Sequence, residues 1–274
     1  LAPKPCPALE VEHRSYFELL RKLRALPGVK RVFIRSGIRF DYLMEDPDKT
    51  FLHELIEHHV SGQLKVAPEH CSAAVLDCMG KPHIESYLAF QKEFFRYTKK
   101  IGKEQYLVPY LMSSHPGSTL KDAVELALFL KREHLRPEQV QDFYPTPGTI
   151  STCMFYTGLD PYTLKPVYVP RSDKEKAMQR ALLQYFDPAK RSLVAQALQE
   201  AGRTDLIGYG EDCLIPPPPE THTPRREGKK PEAPRRTAQR HPGDPKKKPT
   251  SKLGGRWEKD ADRARKQNQT RRKG

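Results

Sequence analysis

The chain has 274 residues, room for one large domain or two small ones. Its formal net charge of +14 is unevenly spread: 19 Lys and Arg face 7 Asp and Glu from Glu220 to Gly274, whereas the other 219 residues carry 29 against 27. A nearly neutral body argues against a folded domain that itself binds nucleic acid, and no apolar run approaches the roughly 20 residues of a membrane span, so the chain reads as soluble.

The opening "LAPKPCPALEVEH" begins with Leu1 and lacks the charged and apolar regions of a signal peptide. It reads as the start of a piece of a longer chain. The five cysteines, Cys6, Cys71, Cys78, Cys153 and Cys213, are odd in number, widely spaced and without a C-x-x-C pair. That pattern argues against a disulfide framework or a self-contained zinc or cluster motif, and for a reducing, cytoplasmic setting.

In chain order, "HRSYFELLRKLRALPGVK" has helical spacing, with Tyr16, Leu19, Leu20 and Leu23 on one face and Pro27-Gly28 as the stop. "RVFIRSG" predicts a short strand closed by Gly37, and "DKTFLHELIEHHVSG" a helix with Leu52, Leu55 and Ile56 together. "QLKVAPE" is the second strand, and "ESYLAFQKEFFRYTKKIG" a long helix with Leu88, Phe94 and Phe95 among its apolar positions. "EQYLVPYLMSS" is the third strand. "HPGSTLKDAVELALFLKREHL" is a turn and helix in which Ser118 or Thr119 suits the N-cap and Asp122 the positive end of the helix dipole. "EQVQDFYPTP" is the fourth strand.

Strands alternating with helices of this length predict an α/β fold with a parallel sheet and right-handed crossovers. Ligands in such sheets bind at the carboxyl ends of the strands. Here those ends are "RSGIRFD", "APEHC", "SSHPGST" and "YPTPGT", all polar or rich in Gly and Pro. Four strands do not close a barrel, which points to further strands upstream. After Gly148 the pattern changes: "ISTCMFYTGLDPYTLKPVYVPRS" is irregular, and two helices follow, Asp173 suited to cap the first and Asp187-Pro188 dividing them. The expected divisions are therefore 1–150 for the strand-helix part, 151–215 for a small helical domain and 216–274 for a disordered basic tail, too poor in apolar residues to offset its ordering entropy.

Glu69, His70 and Cys71 stand together in "QLKVAPEHC", with Cys78 further on. Three ligand types in a row suggest a metal site, but consecutive residues of a strand point to alternate faces and do not converge on one ion. Adjacent His70 and Cys71 are equally ill placed for a nucleophile and its base; the plainer reading is a loop cysteine and a surface histidine. Glu69 ends an apolar strand on the ligand face, where its carboxylate can accept hydrogen bonds. In "SSHPGST", Pro116 and Gly117 allow a tight turn and close backbone approach to a ligand, ahead of a helix N-terminus; an ordinary strand-to-helix turn remains the alternative.

Together, "GIRFD", "LKVAPEHCSAAVLDCMGKP", "YLVPYLMSSHPGSTLKDAVELALFLKREHLRPEQVQDFYPTPGT" and "GRTDLIGYGEDCLIP" closely resemble the YgiQ family of radical S-adenosylmethionine (SAM) proteins, over about residues 4–216. The resemblance implies a partial (β/α)6 barrel that holds a 4Fe-4S cluster and SAM. The cluster would sit on a C-x-x-x-C-x-x-C loop after the first strand, and a Gly-rich second strand end would hold the SAM amino group; neither stretch occurs in this chain. The four strands here would be the third to the sixth. Glu69 would then bond the ribose or amino acid part of SAM, and Lys81 in "MGKP" would face its carboxylate. Ser114, Pro116 and Gly117 would bring main chain to the adenosyl part. The backbone at "FYPTPG" would meet adenine with Tyr144 nearby, and Ser36 and Arg39 would reach SAM or substrate. Cys6 would be an auxiliary cluster ligand or a structural cysteine.

The implied reaction is reductive cleavage of SAM, with electrons from a donor such as flavodoxin or ferredoxin, giving a 5′-deoxyadenosyl radical that abstracts hydrogen from an unidentified substrate. Without the cluster cysteines, this chain alone is expected to be inactive. Two other readings stand beside it. One is a nucleic-acid-associated protein that binds RNA phosphates through the basic tail, which could equally be a solubility or localisation appendage. The other is a (β/α) scaffold that uses no SAM. No reading involves a membrane.

Overall fold

A computed structural model describes residues 6–137 and 140–217, all within one unit that spans Leu1–Glu220. The basic segment expected to be a disordered tail lies outside the described residues.

Helix α1 (Arg14–Ala25) buries Phe17 and, of the predicted stripe, only Leu20: Tyr16, Leu19 and Leu23 stay exposed. The choice follows from charge. Arg21 and Arg24 sit close to the buried edge, and both reach Glu54, at 2.7 and 3.1 Å, while the Arg21 guanidinium lies over the Phe17 ring. Two short helices follow, α2 (Phe40–Glu45) and α3 (Thr50–Glu54), and α3 continues as a π-helical turn over Leu55–His59. As predicted, Leu52, Leu55 and Ile56 are buried together.

The sheet has three parallel strands in the order β1 (Gln63–Glu69), β2 (Tyr106–Ser113) and β3 (Gln141–Asp142). The fourth predicted strand is thus cut to two residues, and the first, "RVFIRSG", forms no ladder among the described residues. Its backbone has instead a hydrogen bond from Ile34 N–H to the His59 carbonyl, so apolar residues alone did not make it a strand. Between β1 and β2 come α4 (Ala73–Met79), which the periodicity did not reveal, and the long α5 (Ile84–Lys100); α6 (Leu120–Arg132) joins β2 to β3. Thr119 caps α6 in a full capping box with Asp122, as expected for this pair of residues.

Leu64 and Val66 on β1 and Leu111 on β2 pack against Phe40, Phe51, Tyr87, Phe90 and Phe94. The opposite strand positions, Tyr106, Val108 and Tyr110, are exposed, so the helices cover one face of the sheet. Pro109 has no N–H to give to a ladder, and β3 pairs only with Met112 and Ser113, beyond it. Helix α6 is buried on two sides: Leu126, Phe129 and Leu130 join that core, while Ala123, Val124 and Ala127 meet a second one.

The second core is formed with α8 (Asp173–Leu183) and α9 (Arg191–Glu200), which follow the eight-residue α7 (Ile150–Thr157). Asp173 does not cap α8: Ser172 does, accepting the Glu175 N–H at 3.1 Å, and Asp173 is the first helical residue. Asp187-Pro188 divides the two helices as predicted, with the Asp187 carboxylate accepting from Ala189 N–H at 2.9 Å.

Candidate functional site

Two neighbouring strand ends carry strained residues. Glu69, the last residue of β1, has φ +67°, and Ser114, just past β2, has φ +62°. A non-glycine residue in this region costs about 1–2 kcal/mol, because Cβ crowds the carbonyl oxygen. At Glu69 the strain is local in origin. Ala67-Pro68 interrupts the β1–β2 register, and a 2.8 Å bond from His70 N–H to the Pro68 carbonyl closes a three-residue turn on the disfavoured hand.

Both strained residues also bury an oxygen that finds no partner among the described residues, Glu69 Oε2 and Ser114 Oγ. The other Glu69 oxygen lies 3.3 Å from Lys81 Nζ. Burial raises the Glu69 carboxyl above its usual range, and the Lys81 ammonium pulls against that rise. Lys81 is aimed by the end of α4, where Gly80 takes the left-handed conformation and Lys81 N–H bonds back to the Leu76 carbonyl at 2.9 Å, the Schellman arrangement.

The side chains of Glu69, His70 and Cys71 diverge. His70 is buried, not on the surface as expected from its loop position; its Nδ1 accepts the Ser72 N–H at 3.0 Å. Burial drives its pKa down to about 4, so it is neutral. Cys71 packs on the main core, and burial pushes its thiol up to about 12, leaving no thiolate for catalysis. Among the described residues no three His, Cys, Asp or Glu side chains are placed to share a metal ion.

The loop after β2 is held from a distant helix. Gln179 on α8 is fully buried; its Oε1 accepts from Ser114 N–H and from Ser118 Oγ, each at 3.0 Å, and its Nε2 donates to the Ser118 carbonyl at 2.9 Å. Gly117 sits at φ +93°, and a Cβ there would lie 2.8 Å from Cys78 Sγ, so this position requires glycine on both counts. Its N–H bonds to the Tyr168 carbonyl at 2.7 Å. His115 is buried, with Nδ1 2.7 Å from the Pro116 carbonyl, Nε2 2.8 Å from Ser151 Oγ, and its ring edge-on to Phe143.

One open cavity of about 210 Å3 is lined by Glu69, Lys81 and Met112 together with His115, Phe143, Tyr144, Thr146, Thr149 and Ser151, whereas Ser114 lies beside it and does not line it. Ligand sites are commonly about 300–1,000 Å3, so the volume corresponds to one wall of a site. A larger hollow of about 790 Å3 lies between Cys6–Val11 and His83–Ser86, but none of the buried partnerless oxygens lines it.

Of the residues singled out from sequence, Glu69, Lys81 and Tyr144 line the same cavity, and Ser114, Pro116 and Gly117 form the loop beside it. Tyr144 is 78% exposed and forms a rim. Ser36 and Arg39 do not line it; Arg39 is paired with Asp41 at 2.5 Å and lies over the Tyr42 ring. Cys6 is exposed beside the larger hollow. Gln179, His115 and Ser151 escaped the sequence reading. The one signal for Gln179 was a polar residue among the apolar positions of "AMQRALL".

Comparison with known proteins bears on this assembly. Residues 138–274 match the family model described as "Domain of unknown function (DUF3362)". The chain belongs to that family. It is also 60% identical, over 215 residues, to a UPF0313 protein of Clostridium perfringens (strain 13 / Type A), covering 78% of this chain and 32% of the relative. A UPF0313 protein of Clostridium botulinum (strain 657 / Type Ba4) is 59% identical over 214 residues, 78% of this chain and 34% of the relative. UPF0313 is the YgiQ-type family, which agrees with the family resemblance of the strand-end motifs. The chain spans about a third of the length of the curated relatives it matches.

Proposed function

We propose that the carboxyl end of the sheet is one wall of a SAM site in a radical SAM enzyme. The observation that carries this reading is the pair of strained strand-end residues, Glu69 and Ser114, each keeping a buried oxygen without a partner. Strain and an unmet hydrogen-bonding group both cost stability, and they persist together where a ligand repays them. The donor set fits SAM. Glu69 Oε2 would accept from a ribose hydroxyl or the amino group, Lys81 would meet the carboxylate, and the Ser114–Gly117 loop would lie along the adenosyl part. Tyr144 would border the base.

The cluster is a different matter. Cys71 and Cys78 are turned into packing, and no three ligand side chains converge among the described residues, so no step of the reaction is assigned to cysteines described here. When bound, cluster and SAM would supply one-electron cleavage and hydrogen abstraction. The residues of this chain would bind, orient and shield the nucleoside. Ligand-observed NMR on the chain with S-adenosylhomocysteine tests this: saturation transfer is expected with the wild type and should be lost in Glu69→Gln and Lys81→Ala. Equal transfer in all three proteins would refute it.

A second reading concerns the net +12 of Glu220–Gly274, which suits sequence-independent phosphate binding. RNA binding that falls steeply with salt and vanishes on deletion of 217–274 is its expected signature. Binding that survives the deletion would refute the tail as the binding element.

A further inference from the structure

We infer that Ser151 selects the base of the bound nucleoside by presenting hydrogen-bond acceptors alone, so that the site takes a purine with an exocyclic amino group and rejects its 6-oxo counterpart. This rests on the nucleoside reading of the site.

The inference comes from following one proton. His115 Nδ1 lies 2.7 Å from the Pro116 carbonyl oxygen, which can only accept, so Nδ1 carries the hydrogen. Burial lowers the His115 pKa to about 4, so at neutral pH the ring has no second proton and Nε2 is a bare acceptor. Ser151 Oγ lies 2.8 Å from that Nε2 and must donate to it. A hydroxyl has one hydrogen and two lone pairs. With the hydrogen spent on His115, Ser151 offers a ligand only its lone pairs. The ring is in turn fixed by edge-to-face contact with Phe143, centroids 5.0 Å apart, so the hydroxyl is not free to reverse.

The placement argues for the base. Ser151 lines the cavity with Phe143, Tyr144 and the hydroxyl-bearing Thr146 and Thr149, whereas the charged pair Glu69 and Lys81 belongs to its other lining elements. Aromatic faces and hydroxyls suit a flat heteroaromatic ring, and the ion pair suits the charged, hydroxylated remainder. An amino group at the ring would donate to Ser151. A carbonyl there would set oxygen lone pairs against oxygen lone pairs in a partly buried site.

The test is a titration of the chain with S-adenosylhomocysteine and, separately, with S-inosylhomocysteine, followed by ligand-observed NMR. The wild type should prefer the amino compound by about tenfold or more, which corresponds to about 1.4 kcal/mol or more. Ser151→Ala should bring the two ligands within about twofold, and Ser151→Thr, which keeps the hydroxyl, should restore the preference. A wild type that binds both equally, or an unchanged preference in Ser151→Ala, overturns the assignment while leaving the nucleoside site standing. Failure of both ligands to bind removes the nucleoside reading and this inference with it.

Discussion

Replacing Gln179 by leucine should loosen the loop at the site from a residue more than 60 positions away in sequence. The side chain is fully buried and serves Ser114 N–H, Ser118 Oγ and the Ser118 carbonyl. Leucine fills nearly the same volume but answers none of them. Each buried group left without a partner costs about 1–3 kcal/mol, and the added apolar burial returns about 1–2 kcal/mol. The three groups together lose about 3–9 kcal/mol, so the expected net loss is about 1–8 kcal/mol, a large share of a stability of about 5–15 kcal/mol. With a urea m-value of about 2 kcal/mol/M, the midpoint should fall by about 0.5–4 M. Gln179→Glu separates the parts of the effect. A carboxylate can still accept from Ser114 N–H and Ser118 Oγ but cannot donate to the Ser118 carbonyl or to Glu175 Oε1, 3.3 Å from the amide nitrogen, which it would repel. Hydrogen exchange at the Ser114 amide should be fast in Gln179→Leu and protected in Gln179→Glu. A leucine variant within about 0.5 kcal/mol of wild type, its Ser114 amide still protected, would refute the reasoning.

Three further outcomes follow from the same geometry. Burial holds the Glu69 carboxyl above its unfolded range, so the native state binds its proton more tightly and loses stability as pH rises through the shifted pKa; Glu69→Gln should gain on wild type in urea melts at pH 7, and that gain should vanish near pH 4. Gly117→Ala combines a left-handed φ with a clash on Cys78 Sγ, an expected cost of about 2–4 kcal/mol; adding Cys78→Ala should recover the steric part but not the backbone part, as read by thermal melts of the double mutant. His70 is held neutral with a pKa of about 4 against an unfolded value of about 6.5, so its contribution is complete above pH 6.5 and is lost as pH falls toward 4. That loss is about 3 kcal/mol at 1.36 kcal/mol per unit, and a His70→Gln variant should show a shallower acid slope.

Much of the α/β order was legible because it is local. The alternation of "QLKVAPE" buries Leu64 and Val66 and turns Lys65 out, and the Thr119–Asp122 spacing is a capping box in three dimensions as in one. Helix α1 shows where local reading stops. Its sequence supports two overlapping apolar stripes, and the Arg21 and Arg24 pairing with Glu54, 30 or more residues away, settles which is buried. "RVFIRSG" has the composition of a strand, but a strand needs a neighbour in register, and among the described residues it is held by His59 instead, whose carbonyl accepts from Ile34 N–H and whose Nδ1 lies 2.8 Å from the Val32 carbonyl. The same divide runs through the site. Glu69 was visible because a strand end is a local signal, and Lys81 through the family resemblance of "MGKP". Gln179 and the His115–Ser151 pair were not, since each is defined by a contact across 36 to 65 residues.

The strained residues make stability and function pull in opposite directions at one point. Glu69 combines a left-handed backbone, a raised carboxyl pKa and an oxygen without a partner, three separate costs, of which glutamine would remove the buried charge and glycine all three. Were the site only a strand-to-helix turn, relieving them would stabilise the chain and change nothing else. A ligand site makes the opposite demand, because the carboxylate must stay desolvated and unmet until a donor arrives. A variant at Glu69 that gains stability while losing ligand contact is therefore the result that separates a binding site from a badly made turn.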